Sequence, residues 1–459
     1  MNKSAEIALT ARRHRFYMIV PILLILAGMG WILLETRQFF MLLGAITMLL
    51  LLREKQYPVE YAMTALLLWF AAGYRAYDFA GFRIHMLDLL ILLLAFQVLT
   101  HRGNNSNYVI DSAPLESSVL FRILFFSALL YGFVLAFVND VNILRAASNM
   151  KHVFLLAPLL YAVNRIRWDG RMIDRTMWSM LAAGIIISIP GILEYNAGIF
   201  AEGSSYGDGF NRALFSFWGA PMAVLVVTLC FQAHWYLWAR ADEVQYKLFV
   251  LASALLQMYA IYISGTRNMW IAVLSTTVFA VYLRYGFRRS LLIVPLGVFL
   301  LTLAPEEGVQ RMQSFYFLHE HDQYGRDDTR WLDSSGAKRV ERMNTALAMI
   351  ASRPWGSGWA ASGWVHSDVV SIAADLGILF GLVFVVLLLR TTLRTLAAAR
   401  RAVGRDKWLW ITFSGFMLTN INLFGFGGVT WLAQYAVPAW FTWLLTHVML
   451  KRRALEHEA

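Results

Sequence analysis

A single histidine lies where a glycine-rich polar loop meets a long apolar run. His366 closes the loop at 353–366, and the chain is apolar from Val369 through Leu389 until Arg390 ends the run. A histidine titrates at about pH 6.5, so it can accept or orient a proton under neutral conditions. The alternative interpretation is a histidine that caps the helix. In either case the pattern predicts His366 at the mouth of a transmembrane helix.

Two arginines stand at the starts of other apolar runs. Arg212 lies in the segment GDGFNRALFSFWGAP, and Arg267 lies in the tight turn SGTRN. An arginine inside hydrocarbon costs a few kcal/mol or more, so Arg267 is expected to be paired, to snorkel to the interface or to line a wet cavity. Together with His366, the two arginines favour an anion-binding site at one face of a membrane.

An amphipathic surface helix is predicted over about 338–352. Its apolar residues recur at helical spacing, namely Val340, Met343, Leu347 and Ile350. Arg339, Arg342 and Arg353 would project together beside this stripe. Guanidinium groups suit a phosphate because each offers a fixed fork of donors and stays charged. The alternative is a helix held by anionic lipid headgroups.

Three tryptophans of the histidine loop, Trp355, Trp359 and Trp364, could stack on sugar rings. Anchoring at the membrane–water interface explains them equally well, because indole rings favour that boundary. Both interpretations place the loop at a membrane surface.

An acidic and histidine-containing cluster occupies 319–328. It could be interpreted as a metal site, but its members show no familiar ligand spacing, and mixed charge runs are usually solvated loop. We therefore expect no metal site and no cofactor.

The composition is that of a polytopic membrane protein without a sizeable soluble domain. Hydrophobic residues make up 59% of the chain and charged residues 15%, against roughly a quarter charged residues in soluble proteins. The net charge is +11. The arginines lie in short loops between apolar runs, so the charge reflects membrane topology rather than nucleic-acid binding. Cys230 is the single cysteine, so there is no disulfide framework.

We expect an all-α fold with about 12–14 transmembrane helices in a single membrane domain, 1–459. Apolar runs occur near 16–34, 38–52, 60–73, 85–99, 119–138, 152–163, 176–193, 214–238, 246–264, 268–286, 289–303, 366–389, 408–424 and 429–450. The densest basic loops fall on one side if both termini are cytoplasmic. The loops 194–213, 264–268 and 304–365 then face outward, which in a bacterial inner membrane is the periplasm.

The loop histidine belongs to a motif that resembles bacterial O-antigen ligases. Their signature is a histidine, then Asn, Ser or Gln, then nine residues and a glycine, as in His366, Ser367 and Gly377. The signature ends with Gly, Thr or Tyr three residues later, where this chain has Phe380.

Two further motifs follow the same family order along the chain. The family's arginine with leucine four residues on is matched by Arg267 with Ile271. An arginine before a small, aromatic and proline-containing helix start is similar to Arg212 through Pro221. The resemblance covers roughly 200–390.

This resemblance implies an integral-membrane glycosyltransferase of the C-type fold. It would transfer a glycan from undecaprenyl diphosphate to an acceptor sugar, which in the ligases is the lipid A core oligosaccharide. The implied partners are the carrier-linked donor, a glycan or glycolipid acceptor, membrane lipids and envelope polysaccharide assembly proteins, but no nucleic acid.

The chemistry of such a transfer agrees with the residue types. The diphosphate leaving group needs positive charge, and the incoming hydroxyl needs a base. The residues expected to bind the diphosphate are Arg212, Arg267, Arg339 and Arg342. His366 and Arg267 are the expected catalytic residues, without a metal. Displacement opposite the diphosphate would invert the anomeric centre.

Three alternatives remain open from the sequence. An O-antigen or exopolysaccharide polymerase would join carrier-linked repeats with the same chemistry. A secondary transporter of an anionic solute would instead show broken helices and acidic residues at the membrane midplane. A non-catalytic scaffold for envelope assembly would not need His366.

Overall fold

The structure is a computed structural model that describes residues 58–70, 76–79, 82–100, 119–141, 146–147, 154–197, 220–291, 334–363, 365, 367–426 and 433–458. The first part contains α1 (Pro58–Trp69), β1 (Ala76–Phe79), β2 (Phe82–His85), α2 (Met86–Thr100), α3 (Val119–Val138), α4 (Leu156–Arg165) and α5 (Gly170–Ala197). The middle part contains α6 (Ala220–Phe231), α7 (Ala233–Arg240), α8 (Val244–Ile263), α9 (Arg267–Tyr285) and α10 (Phe287–Ser290). The last part contains α11 (Ser334–Ser352), α12 (Asp368–Leu376), α13 (Ile378–Arg401), α14 (Gly404–Phe426) and α15 (Ala433–Glu458).

The described chain is mostly helical, as the apolar runs predict for a membrane protein. Within the described residues, α5, α8 and α13 are long and apolar enough to cross a membrane. The expected runs at 16–34 and 38–52, and the run at 289–303 apart from its first three residues, lie outside the described part. One feature was not predicted: β1 and β2 pair as a short antiparallel hairpin, with Tyr77 opposite Ile84.

The single helix predicted over 366–389 is wrong. The structure has two helices here, α12 and α13, which are separated at Gly377 with φ +98° and ψ 160°. This backbone region is essentially restricted to glycine and cannot continue a helix. The second helix also runs past the expected end at Arg390 to Arg401. Hydropathy missed the break because a glycine does not interrupt an apolar run.

Polar contacts join the basic segments at one end of the helix bundle. Buried Glu60 accepts hydrogen bonds from Arg171 and Arg175. Asp174 accepts from Tyr236 and bidentately from Arg240, with N–O distances of 3.2 and 2.9 Å. Nearer the C-terminus, Arg452 donates to the carbonyl of Ile166 and Arg453 to that of Ala398. The segments expected to share one membrane side therefore lie together.

A buried glutamine joins three helices around α9, the helix that Arg267 begins. Gln232, between α6 and α7, donates to Thr276 Oγ1 of α9 over 3.1 Å. Its side chain also lies against Gly415 of α14, where an ideal Cβ would be 2.3 Å from Gln232 Oε1. Glycine on one helix thus makes room for an amide from another, as is common between membrane helices.

Replacing Glu60 with alanine should destabilise the bundle by about 3 kcal/mol, because it leaves the guanidinium of Arg175 without its buried carboxylate. The measurement is the thermal unfolding midpoint of the purified protein in detergent. The matched control is Asp242→Ala, since the pair of Asp242 with Arg405 has side chains that are 74% and 60% exposed. Such exposed pairs contribute about 0–1 kcal/mol. Equal midpoints for the two variants would contradict the structural role of Glu60.

Candidate functional site

The predicted site residues are described to different extents. His366, Trp364, Arg212 and the cluster at 319–328 lie outside the described residues. Arg267 begins α9, and Thr266 precedes it with φ −88° and ψ 91°; the described part does not include its side chain. Arg339, Arg342, Trp355 and Trp359 are described with their side chains.

The motif that follows His366 corresponds to one complete helix. Ser367 is the N-cap of α12, and its Oγ accepts from the amide of Val370 over 3.5 Å. At the other end the Gly377 amide donates to the Ala373 carbonyl over 3.0 Å, and the positive φ of Gly377 stops the helix. The nine residues between serine and glycine are therefore the length of α12.

The loop before His366 supplies the hydrogen bonds that the helix break removes. The carbonyls of Ala374 and Asp375 accept from the amides of Ser357 and Gly358 over 2.9 and 2.8 Å. The amide of Ile378, the first residue of α13, donates to the Pro354 carbonyl over 3.0 Å. Helix ends leave such groups without intrahelical partners, and burying them unpaired would cost free energy. The loop and the break therefore stabilise each other.

Two glycines let the loop lie between α12 and α3. Gly356 has φ +104°, and an ideal Cβ there would be 2.6 Å from the carbonyl oxygen of Asp375. Gly358 has φ +100°, and its Cβ would be 2.2 Å from the amide nitrogen of Ala136. Both neighbours are backbone atoms that cannot move aside. Glycine is therefore required at both positions, because a residue with a Cβ would overlap the neighbouring backbone.

The C-terminal part of α3 is a component of the site that the sequence did not suggest. The Tyr131 hydroxyl donates to the Trp355 carbonyl over 2.6 Å. Asn139 donates to the Ser357 carbonyl and accepts from Arg353, over 3.2 and 2.8 Å. Asn139 was the available signal, since it follows directly after an apolar run.

The tryptophans of the loop have different environments. Trp359 is 2% exposed and packs with Ala136, Ile372 and Leu376. Its ring is covered by protein, so we withdraw its expected role in sugar stacking. Trp355 is 76% exposed, so its ring remains available to a sugar or to the membrane interface.

The predicted surface helix corresponds to α11. Met343, Ala346 and Ile350 pack against Val365 and Ala374, so its apolar face contacts the histidine loop and α12. Leu347, expected in this face, is 48% exposed, because the face is centred on Ala346.

The three arginines that the sequence places beside the apolar stripe are all exposed and differ in their contacts. Arg339 and Arg342 are exposed on the helix. Arg353 instead follows the helix and donates to Asn139. Arg339 and Arg342 are carried by α11, which packs on α12.

Helix α14 connects the two halves of the predicted site. It packs against α9, which begins at Arg267, and also against α12, which follows His366. The arrangement therefore brings together the elements that carry Arg267, the histidine loop, and the Arg339 and Arg342 pair.

Among the described residues no group of three or more His, Cys, Asp or Glu could hold a metal ion.

No protein-family model matches the chain, and no curated protein matches it. The resemblance to the O-antigen ligases therefore stands on the three sequence motifs.

Replacing Gly377 with alanine should disrupt the joint between α12 and α13. The new Cβ would lie 2.7 Å from the Trp355 carbonyl oxygen, in addition to a backbone strain of about 1–3 kcal/mol. Hydrogen exchange of the 355–363 amides, together with the thermal unfolding midpoint, measures the effect.

The matched control is Gly286→Ala, because Gly286 has φ +87° and ψ 173° but no atom within 4 Å of its Cβ position. It carries the strain without the overlap. Gly377→Ala should show the larger loss of stability and faster exchange in the loop. An equal loss without faster exchange would contradict the proposed joint.

Proposed function

We propose that this protein is a membrane glycosyltransferase similar to the O-antigen ligases, which transfers a glycan from undecaprenyl diphosphate to an acceptor sugar. One observation carries the proposal: the motif from Ser367 to Gly377 is a single capped helix ended by a glycine-specific break. The serine caps the helix and the glycine ends it, so each of the two motif positions has a structural role. The histidine that the motif places before this helix is the proposed base.

The transfer requires stabilisation of a departing diphosphate. In the proposal Arg267 approaches the phosphates from the start of α9, Arg212 from the segment before α6, and Arg339 and Arg342 from α11. Each guanidinium aimed at the developing charge would lower the barrier by roughly 2–4 kcal/mol. Guanidinium groups remain charged at any physiological pH, so the proposal requires no metal.

The second requirement is activation of the acceptor hydroxyl. His366 would accept its proton while the oxygen attacks the anomeric carbon opposite the diphosphate, so the configuration at that carbon inverts. Among the described loop residues, Trp355 has an exposed ring that could contact the acceptor sugar. The acceptor in this proposal is lipid A core or a similar glycan.

The proposed location is the bacterial inner membrane, with both termini cytoplasmic and the site facing the periplasm. The clustering of basic segments at one end of the bundle supports this orientation. The histidine loop contacts the C-terminal end of α3, at Tyr131 and at Asn139 just after it. The site would then open where carrier-linked glycans and envelope assembly proteins meet the membrane.

The helix break also bears on the transporter interpretation, because broken helices with acidic residues occur in transporters. Asp375 lies next to the break and is fully buried. Its carboxylate oxygens accept from the amides of Ala360 and Ser362. Asp375 therefore binds the loop backbone. This favours a structural carboxylate over an ion-coupling residue of a transporter.

Replacing His366 with alanine should abolish glycan transfer, because the acceptor hydroxyl loses its base; general-base catalysis contributes about 100- to 10,000-fold in rate. The measurement is the envelope glycan profile of cells that carry only the variant, with its membrane level checked. Full-length polymer should accumulate on the carrier, with none on the surface acceptor.

His321→Ala is the matched control, because it removes another histidine of the same expected outer loop and should leave the profile unchanged. Accumulation of single repeats in the His366 variant would identify a polymerase instead. A normal profile at normal protein level would refute the catalytic role of His366.

A further inference from the structure

We propose that Asp375 is a positioning residue that fixes the loop leading to His366 on helix α12. The inference rests on the proposed function and adds a residue that the motifs do not contain. Asp375 lies in the last turn of α12, two residues before the break, and is 0% exposed. A buried carboxylate is costly unless charged or polar partners surround it, so its position requires an explanation.

The carboxylate of Asp375 binds the loop through two backbone amides. Its Oδ1 accepts from the Ser362 amide over 2.7 Å, and its Oδ2 accepts from the Ala360 amide over 3.1 Å. The backbone carbonyl of the same residue accepts from Gly358 over 2.8 Å. One aspartate thus orders three alternate positions of the loop, and charge-assisted bonds of this kind are stronger than neutral ones.

A serine pair adds a second attachment to the same helix. Ser362 Oγ and Ser371 Oγ are 2.9 Å apart, and Ser371 is fully buried one turn before Asp375. The chain returns to α12 at Ser367, the N-cap. The segment from Ser362 to Ser367, which includes His366 in sequence, is therefore attached to α12 at both ends. In the proposed account, these two attachments position the histidine that lies between them in sequence.

The backbone at Ala360, between the bonds that Gly358 and Ser362 make to Asp375, is held in a costly conformation. Ala360 has φ +67°, a left-handed conformation that disfavours residues with a Cβ. Such strain persists where surrounding contacts determine the backbone, and it occurs often at functional sites. The bond from the Ala360 amide to Asp375 is a contact of that kind.

An asparagine would not replace Asp375. A carboxylate accepts at both oxygens, whereas an amide accepts at one and presents an NH2 donor at the other. In Asp375→Asn one loop amide would face a donor. The side chain keeps its size, so the helix packing is preserved while the loop loses an attachment.

The test compares Asp375→Asn with the wild-type chain and with Asp174→Asn. Asp174 is a structural carboxylate among the basic segments, bonded to Tyr236 and Arg240. Two quantities are measured on the full-length protein. The first is hydrogen exchange of the 357–363 amides, which needs no substrate. The second is the dependence of transfer rate per folded molecule on donor concentration, with carrier-linked polymer from the His366→Ala cells as donor.

We expect Asp375→Asn to speed exchange at 357–363 and to lower kcat about 100-fold, the effect of misplacing a catalytic group by about 1 Å. KM should stay within about threefold, because the arginines that bind the diphosphate are not altered. Asp174→Asn should lower the amount of folded protein and leave kcat per folded molecule unchanged. A merely structural role for Asp375 would give that second pattern.

Unchanged exchange at 357–363 would overturn the inference, as would faster exchange with an unchanged kcat. Failure of the proposed function is distinguishable from both. In that case the wild-type chain transfers no glycan and His366→Ala accumulates no donor, while the exchange measurement alone still decides whether Asp375 attaches the loop.

Discussion

The structure depends on the need of buried backbone groups for hydrogen bonds. A helix break at Gly377 removes such bonds among buried residues. The loop before His366 replaces them with its own amides and a carbonyl. The break is stable because the loop lies against it, and the loop is ordered because the break presents unpaired groups. Residues Gly356 and Gly358 make this contact sterically possible.

This mutual dependence explains how a polar segment can be held next to membrane helices. The amides of the loop bind α12, the ring of Trp359 packs against α3, and α11 packs against Val365. Helix α14 then contacts both α12 and α9, which begins at Arg267. A proton-accepting group and guanidinium groups could be arranged around one acceptor and one diphosphate by such a scaffold. Precise placement of this kind supplies much of the rate of a transfer reaction.

Much of the helical layout could be predicted from the sequence, because apolar runs and basic loops report burial and membrane side directly. The runs at 246–264 and 268–286 coincide with α8 and α9 within two residues, and the run at 176–193 lies inside the longer α5. The details of the loop could not be predicted. Trp359 is buried because α3, more than two hundred residues away, covers it. Hydropathy also gives no sign that Asp375 would turn towards the loop amides.

The most direct measurement is transfer by the purified chain in lipid vesicles, supplied with an undecaprenyl-diphosphate-linked glycan and lipid A core. We expect glycosylated acceptor and released undecaprenyl diphosphate in equal amounts, with release only when the acceptor is present. A folded protein that forms no product with lipid A core or with a second carrier-linked glycan would contradict the account. Passage of the intact donor or of an anionic solute across the vesicle membrane would then favour the transporter interpretation.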